Sequence, residues 1–174
     1  MANKKNFPVI GPDGNEYWVS RSCAVCGILA VKDNEGNWCI LANKRGPGCP
    51  DNVGKWNIPC GYLDYDETGA QAISREIFEE TGVQTTPEMF KLIGVHYDLE
   101  GRQNVTHRYC AIFERLNSIE NFKIGKGTGG EENEVDDIRF VKLTELDNYD
   151  WAFGHKELVR ETLMNYCSNN LVTL

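Results

Sequence analysis

Three glutamates, Glu76, Glu79 and Glu80, follow Arg75 within one short segment of the chain. If this segment is helical, Glu79 lies about 60° to one side of Glu76 and Glu80 about 40° to the other, so all three share one stripe. Like charges at these spacings repel each other unless a cation neutralises them. Because carboxylate oxygens suit hard divalent ions, the cluster is either a face that binds Mg²⁺ or Mn²⁺ or a solvated acidic surface.

The residues around these glutamates form a longer pattern. It consists of Gly61, five residues, Glu67, seven residues, Arg75-Glu76, Ile77, one residue, Glu79-Glu80, one residue, Gly82 and Val83. This pattern resembles the Nudix box of the Nudix hydrolases over residues 61–83, and it matches at every specified position, which favours the metal-binding interpretation. The resemblance implies a pyrophosphohydrolase that uses Mg²⁺ or Mn²⁺ and cleaves a nucleoside diphosphate linked to another moiety.

The resemblance also implies roles for individual box residues. Glu76 and Glu80 become the principal metal ligands, and Glu79 binds metal directly or through water, or acts as the catalytic base. Arg75 is expected to orient these acids, with Glu67 as its partner, because a guanidinium can hold a carboxylate through two hydrogen bonds.

Cys60 is a departure from the family pattern, since many members have a second glycine at this position. In relatives the backbone carbonyl there often helps to coordinate metal, and a carbonyl survives a change of side chain. We therefore expect the Cys60 carbonyl to join the metal ligands, although a glycine-like backbone would be costly for a residue that has a Cβ.

Residues outside the box are candidates for the base and for substrate binding. In some relatives a glutamate on a late loop takes the proton, and the segment 131–134 occupies such a position, with Glu132 favoured. Arg45 and Arg102 are predicted to contact phosphate, and Trp56 to stack on a base. The nucleotide is left open among ADP-ribose-like, dinucleotide and nucleoside triphosphate substrates. His155 is expected to be a capping or polar surface residue.

The elements that must position these residues can be predicted from the sequence. Residues 67–81 are predicted to form a helix that Asp66 or Thr68 caps, that packs through Ala70, Ile73 and Ile77, and that ends at Gly82. A final helix is predicted at 153–167. Strands are predicted at 15–20, 22–31, 38–43, 92–98, 106–114 and 137–142. This order, together with the resemblance, implies an α/β fold, a Nudix-type α/β/α sandwich around a mixed β-sheet, in a single domain of residues 1–174.

Composition narrows the classes of partner. The net charge is −8, which argues against duplex nucleic acid as a partner. No apolar run is long enough to span a membrane and the N-terminus lacks the apolar part of a signal peptide, so we expect a cytoplasmic protein that binds a small nucleotide. Relatives often dimerise, so a homodimer is an expected assembly.

The chain has 7 cysteines. Reduced, space-filling cysteines are the favoured interpretation. Cys23 and Cys26 have the spacing of half a zinc site, but no second pair follows, and in a strand their side chains would point to opposite faces.

Two other functions compete with hydrolysis on the same scaffold. A non-catalytic nucleotide-sugar sensor would bind without cleaving, although such sensors usually lose box glutamates that this chain retains. An isoprenoid diphosphate isomerase would need a reactive cysteine near the site, and Cys60 is the candidate for it.

Overall fold

The computed structural model describes residues 5–100, 103–127 and 133–171. Nine strands and two α-helices are present in this part of the chain. The strands are β1 (Phe7–Ile10), β2 (Glu16–Val19), β3 (Cys23–Lys32), β4 (Trp38–Arg45), β5 (Trp56–Asn57), β6 (Cys60–Tyr62), β7 (Lys91–Tyr97), β8 (Val105–Phe113) and β9 (Val135–Lys142), and the helices are α1 (Gly69–Thr81) and α2 (His155–Leu171).

Seven of the strands form one mixed sheet around β3. Its main order is β5-β4-β3-β8-β7, while β6 pairs with β3 and β9 pairs with β4. Strands β3 and β8 run parallel, whereas the other pairs are antiparallel. The predicted mixed sheet is therefore confirmed.

The central strand β3 alternates between two apolar layers. Cys26, Ile28 and Ala30 pack in the layer that contains Leu158, Val159 and Leu163 of α2. The residues of opposite parity, Val25, Leu29 and Val31, pack in the layer that contains Ala72, Ile73 and Ile77 of α1. Because both faces of β3 are covered, the strand is a nearly continuous apolar run. One helix on each face makes the α/β/α sandwich.

Helix α1 has well-defined ends. Thr68 caps it by accepting a hydrogen bond from the Gln71 amide, and the Gln71 side chain accepts one from the Thr68 amide in return. Gly82 ends the helix in the left-handed region at φ 69°, where a residue with a Cβ would be strained. The predicted cap at Thr68 and the predicted stop at Gly82 are confirmed.

Other predictions differ from the structure: strands β5 and β6 were not predicted, and α1 packs through Ala72 in place of Ala70. Strand β1, which the sequence analysis did not predict, pairs with β2 in a separate two-stranded hairpin. Helix α2 begins at His155 and reaches Leu171, instead of running over 153–167. Within the described residues, no helix has both the length and the apolar character that crossing a membrane requires.

Candidate functional site

A cleft of about 810 Å³ opens at one end of the sheet. Its walls come from the beginning of β3, from β6, from the acidic side of α1 and from the residues just before α2. The box side chains Arg75, Glu76, Glu79 and Glu80 all line it. Since α1 packs on the sheet through Ile73 and Ile77, its neighbouring acidic side is held rigidly over the cleft.

Arg75 connects the acids of the cleft. Its Nη1 donates to Glu76 Oε1 at 2.8 Å and to Glu79 Oε2 at 3.0 Å. Its other nitrogens hold Glu67 in a fork, Nη2 at 2.7 Å and Nε at 3.2 Å, and Nη2 also donates to the Tyr62 carbonyl at 3.0 Å. These five contacts engage all five N–H donors of the guanidinium, so the geometry matches an orienting residue better than a substrate clamp.

Glu80 lies deepest among the box acids. Its Oε2 accepts a hydrogen bond from the Cys60 amide at 3.2 Å. Burial raises the pKa of Glu80 well above its ordinary range, and the negative charge of Glu76 raises it further. Burial likewise raises the pKa of Glu76 to about 6, against the opposing effect of Arg75. For both of these partly buried carboxyls, the ionised form is therefore less stable than it would be in water.

Gly61 permits this arrangement. A Cβ at Gly61 would collide with the carboxylate of Glu76, which lies directly against the β6 backbone. Any other residue at this position would push Glu76 away from its place beside Arg75. The glycine of the box is thus required by close approach rather than by an unusual backbone angle.

The donors in the cleft suit a hard divalent cation. No three His, Cys, Asp or Glu side chains of the described residues are already gathered in metal-binding geometry, and Glu76 and Glu79 are turned towards Arg75 instead. A divalent cation would stabilise the ionised forms of Glu76 and Glu80, whose pKa values are raised without it. Asn43 supports this fit, since its Oδ1 is buried without a hydrogen-bond partner among the described residues and the residue lines the cleft.

Cys60 occupies ordinary strand backbone. It pairs with Cys26 across β6 and β3 and does not belong to the residues with positive φ in the described part of the chain. The expected conflict with a glycine-like dihedral therefore does not arise. Burial raises the pKa of the Cys60 thiol well above its ordinary value, and Glu80 adds to the effect. This thiol is not activated, which weighs against the isomerase alternative.

Arg45 lies in the cleft as a cation near Glu80. Its side chain is held at Asp51, by the carboxylate at 3.1 Å and by the carbonyl at 3.0 Å, and its guanidinium lies 5.0 Å from the centroid of the Phe153 ring. Its charge partly opposes the rise in the pKa of Glu80. The structure thus brings a fixed positive charge to the same cleft as the acids.

Of the remaining predicted site residues, only Trp56 belongs to the described part of the chain, and it does not line the cleft. Trp56 is only 7% exposed and packs in the apolar layer on the α2 side, in edge contact with Tyr149 at 5.1 Å. Its assignment as a substrate-stacking residue is corrected to a core residue, because no open ring face meets the cleft. Arg102 and Glu132 lie outside the described residues. Glu134, from the same loop as Glu132, does line the cleft.

His155 is a site residue that the sequence analysis misassigned. It is buried and lines the cleft, where its Nδ1 accepts a hydrogen bond from the Ile58 amide at 3.3 Å. Burial lowers the pKa of His155 to about 3, and the positive charges of Arg108 and Arg45 contribute, so the ring stays neutral. The expected surface position was wrong, since the partner of this ring, Ile58 between β5 and β6, lies 97 residues away in the sequence.

Comparisons with known proteins relate this chain to one family. Residues 22–162 match the family described as NUDIX domain. A MutT-like protein from Streptomyces ambofaciens is 36% identical over 75 residues, which cover 43% of this chain and 42% of that protein. The matched segment therefore spans less than half of that relative.

Solved structures show the same fold at low identity. A bifunctional NMN adenylyltransferase/ADP ribose pyrophosphatase from Francisella tularensis, complexed with AMP and Mn ion, has a TM-score of 0.65 at 24% identity, and the alignment covers 84% of this chain and 42% of that one. The NUDIX domain of Shewanella oneidensis NrtR, complexed with ADP ribose, has a TM-score of 0.61 at 20% identity, with coverage of 88% and 93%.

Proposed function

This chain belongs to the Nudix family, and on that premise we propose that it is a metal-dependent pyrophosphohydrolase that cleaves a nucleoside diphosphate linked to another moiety. The observation that carries the proposal is the pair of partly buried acids, Glu76 and Glu80, held in one cleft with the cations Arg75 and Arg45. Cleaving a phosphoanhydride requires neutralised phosphate oxygens and an oriented water, and this cleft offers groups for both.

The Mg²⁺ or Mn²⁺ would be held by Glu76 and Glu80, with the Cys60 carbonyl as a further oxygen ligand and Glu79 contributing through water. When bound, the metal supplies charge for the phosphate oxygens and lowers the pKa of a coordinated water. Arg75 keeps Glu76 and Glu79 in place through its shared Nη1. Arg45 offers its guanidinium to a phosphate while Asp51 and Phe153 restrain it.

The proton of the attacking water needs an acceptor. We propose Glu79, because its carboxylate lines the cleft and is held by Arg75 at its edge. Glu132 stays an alternative prediction, and the position of Glu134 in the cleft wall supports a contribution from that loop.

The proposed substrate is a nucleotide whose diphosphate carries a second group, with ADP-ribose and dinucleotides ahead of nucleoside triphosphates. The two structural relatives described above were crystallised with AMP and with ADP ribose, which supports adenine nucleotides of this type. The acidic cleft is consistent with a substrate that arrives with its charge balanced by a divalent cation.

A panel of ADP-ribose, dinucleoside polyphosphates and nucleoside triphosphates tests this function. In the presence of Mg²⁺ or Mn²⁺, we expect at least one compound to be cleaved with release of a nucleoside monophosphate. Calorimetric titration of the same compounds in parallel separates cleavage from binding. Binding without cleavage across the panel would favour the sensor, and it would contradict the proposed hydrolase.

We further propose that the protein forms a homodimer through the β1–β2 hairpin. All residues of both strands are exposed, among them Phe7, Ile10, Tyr17 and Trp18. A lone two-stranded hairpin is marginally stable in water, so this apolar hairpin gains stability when a second copy covers it.

Trp18→Glu is expected to shift the dimer to monomer in sedimentation velocity runs at micromolar concentration, because a charge in an apolar interface is costly. Met164→Glu, a similar change at an exposed apolar residue of α2, serves as the control and should leave the assembly unchanged. A wild-type protein that sediments as a monomer would refute the homodimer.

A further inference from the structure

We propose that Phe153, with the neighbouring His155, forms the subsite that recognises the nucleobase of the substrate. The inference rests on the proposed function and goes beyond it, because it assigns the part of the cleft that distinguishes a nucleotide from a simple pyrophosphate. Three independent observations carry it: the backbone of Phe153, the position of its ring and the bonding of His155.

Phe153 has a strained backbone. Its φ is 58°, in the left-handed region that bulky side chains rarely adopt, and Gly154 follows at φ 67°. Neighbouring hydrogen bonds hold this turn in place, from the Ala152 amide to the Trp56 carbonyl at 2.8 Å and from the His155 amide to the Ala152 carbonyl at 3.0 Å. Glycine would adopt this conformation without strain. Backbone strain that the surrounding structure maintains is characteristic of functional sites. The presence of a phenylalanine where glycine would be unstrained therefore indicates a function for its ring.

The ring of Phe153 does not serve the core. Phe153 is 48% exposed, although it lines the cleft, and it belongs to neither apolar layer of the sandwich. It contacts the Arg45 guanidinium and, edge-on, the His155 ring at 5.4 Å. An open aromatic surface beside a phosphate-binding cation suits a planar base whose nucleotide reaches that cation. One nucleotide can thus contact Arg45 and Phe153 together.

His155 adds a directional hydrogen bond to this surface. Its Nδ1 accepts from the Ile58 amide, so the proton of the neutral ring resides on Nε2. A buried ring in this tautomer offers one fixed donor to an acceptor atom of the base or ribose. Stacking on Phe153 tolerates any base, whereas the His155 donor favours a nucleoside that presents an acceptor at that point.

Phe153→Gly distinguishes a role of the ring in ligand binding from a role in stability, because it removes the ring and also relieves the backbone strain. The Kd for AMP and ADP-ribose, measured by calorimetry, is expected to rise at least about tenfold, while the unfolding midpoint stays equal or rises. Inorganic tripolyphosphate, which has no base, should bind wild type and variant equally. Phe153→Tyr keeps the ring and should restore nucleotide affinity to within about threefold of wild type.

A second variant tests the histidine. His155→Asn places an acceptor near the former Nδ1, where it can still serve the Ile58 amide, and removes the Nε2 donor. Nucleotide affinity is expected to fall severalfold, with tripolyphosphate again unaffected. Leu116→Gly, which removes an exposed apolar side chain outside the lining of the cleft, is the control and should change neither ligand.

The outcomes distinguish this subsite from the proposed reaction. Unchanged nucleotide affinity in Phe153→Gly, or an equal loss for nucleotide and tripolyphosphate, would overturn the subsite even if wild type is an active hydrolase. Selective loss of nucleotide affinity in a protein that cleaves nothing would support the subsite and contradict the hydrolase. A wild-type protein that binds no nucleotide would overturn both.

Discussion

Glu80→Gln is expected to lower metal-dependent kcat/KM by about 10³-fold, equivalent to roughly 4 kcal/mol of transition-state stabilisation. Glutamine keeps an oxygen that can accept from the Cys60 amide, so the local hydrogen bond survives. What it removes is the negative charge that a divalent cation needs from the most deeply buried box acid. The measurement is steady-state hydrolysis of the best substrate from the panel, at saturating Mg²⁺.

The fold of this variant is expected to remain intact. Because burial raises the pKa of Glu80, a neutral side chain of the same shape should keep or increase the unfolding midpoint of the metal-free protein. Glu161→Gln, which neutralises an exposed acid on α2, is the matched control and should retain full activity. Retention of more than about a tenth of wild-type activity in Glu80→Gln would exclude Glu80 as a principal metal ligand.

Removal of divalent metal is expected to abolish hydrolysis and to make stability depend on pH in a defined direction. Excess chelator should stop turnover completely, and added Mg²⁺ or Mn²⁺ should restore it. The reason is that the metal would supply, beside Glu76 and Glu80, the positive charge that a diphosphate requires. Turnover that persists in chelator would contradict the proposed mechanism.

The raised pKa of Glu76 determines how the stability of the metal-free protein changes with pH. Its value of about 6 in the folded protein exceeds the ordinary 4.5, so between these values the folded state binds more protons than the unfolded state. The contribution of Glu76 to the free energy of unfolding is therefore fully present below pH 4.5 and is lost as the pH rises through 6. It amounts to about 2 kcal/mol. Glu80 acts in the same direction.

Metal binding should oppose this loss, since it requires the ionised acids and releases their protons. Thermal unfolding with and without Mn²⁺ is the measurement, and the metal-induced rise in Tm should be larger at pH 7.5 than at pH 5. The double variant Glu76→Gln/Glu80→Gln is the control, in which both the pH slope and the metal effect should shrink. A metal-free wild type whose stability exceeds that of this variant by a growing margin as pH rises would refute the assignment.

Local sequence was sufficient to predict the framework of the site. The spacing of Glu76, Glu79 and Glu80 matches the period of a helix. Thr68 and Gly82 define the ends of that helix through hydrogen bonds to residues close in sequence. The alternation of β3 between two apolar layers likewise follows from the two-residue period of a strand. These features depend on neighbours in the chain, which is why the sequence alone could predict them.

Long-range packing decided which residues surround that framework. Trp56 was predicted to stack on the substrate, but it lies in the core. His155 was predicted to be a capping or polar surface residue, but it lies in the cleft wall. Nothing local distinguishes an indole that packs from one that stacks on a substrate, because the choice depends on what the α2 layer covers. The position of Phe153 beside Arg45 likewise arises from the meeting of two distant segments.

The sequence by itself therefore determined the family, the helix that carries the three glutamates and the sandwich on which it packs. Only the tertiary structure decided that Glu80 is the deepest acid, that Gly61 makes room for Glu76 and that an aromatic ring lies open at the cleft. The physical reason is that periodicity and capping act over one or two turns of chain. Burial, charge coupling and the raised pKa values arise from groups that meet only after folding.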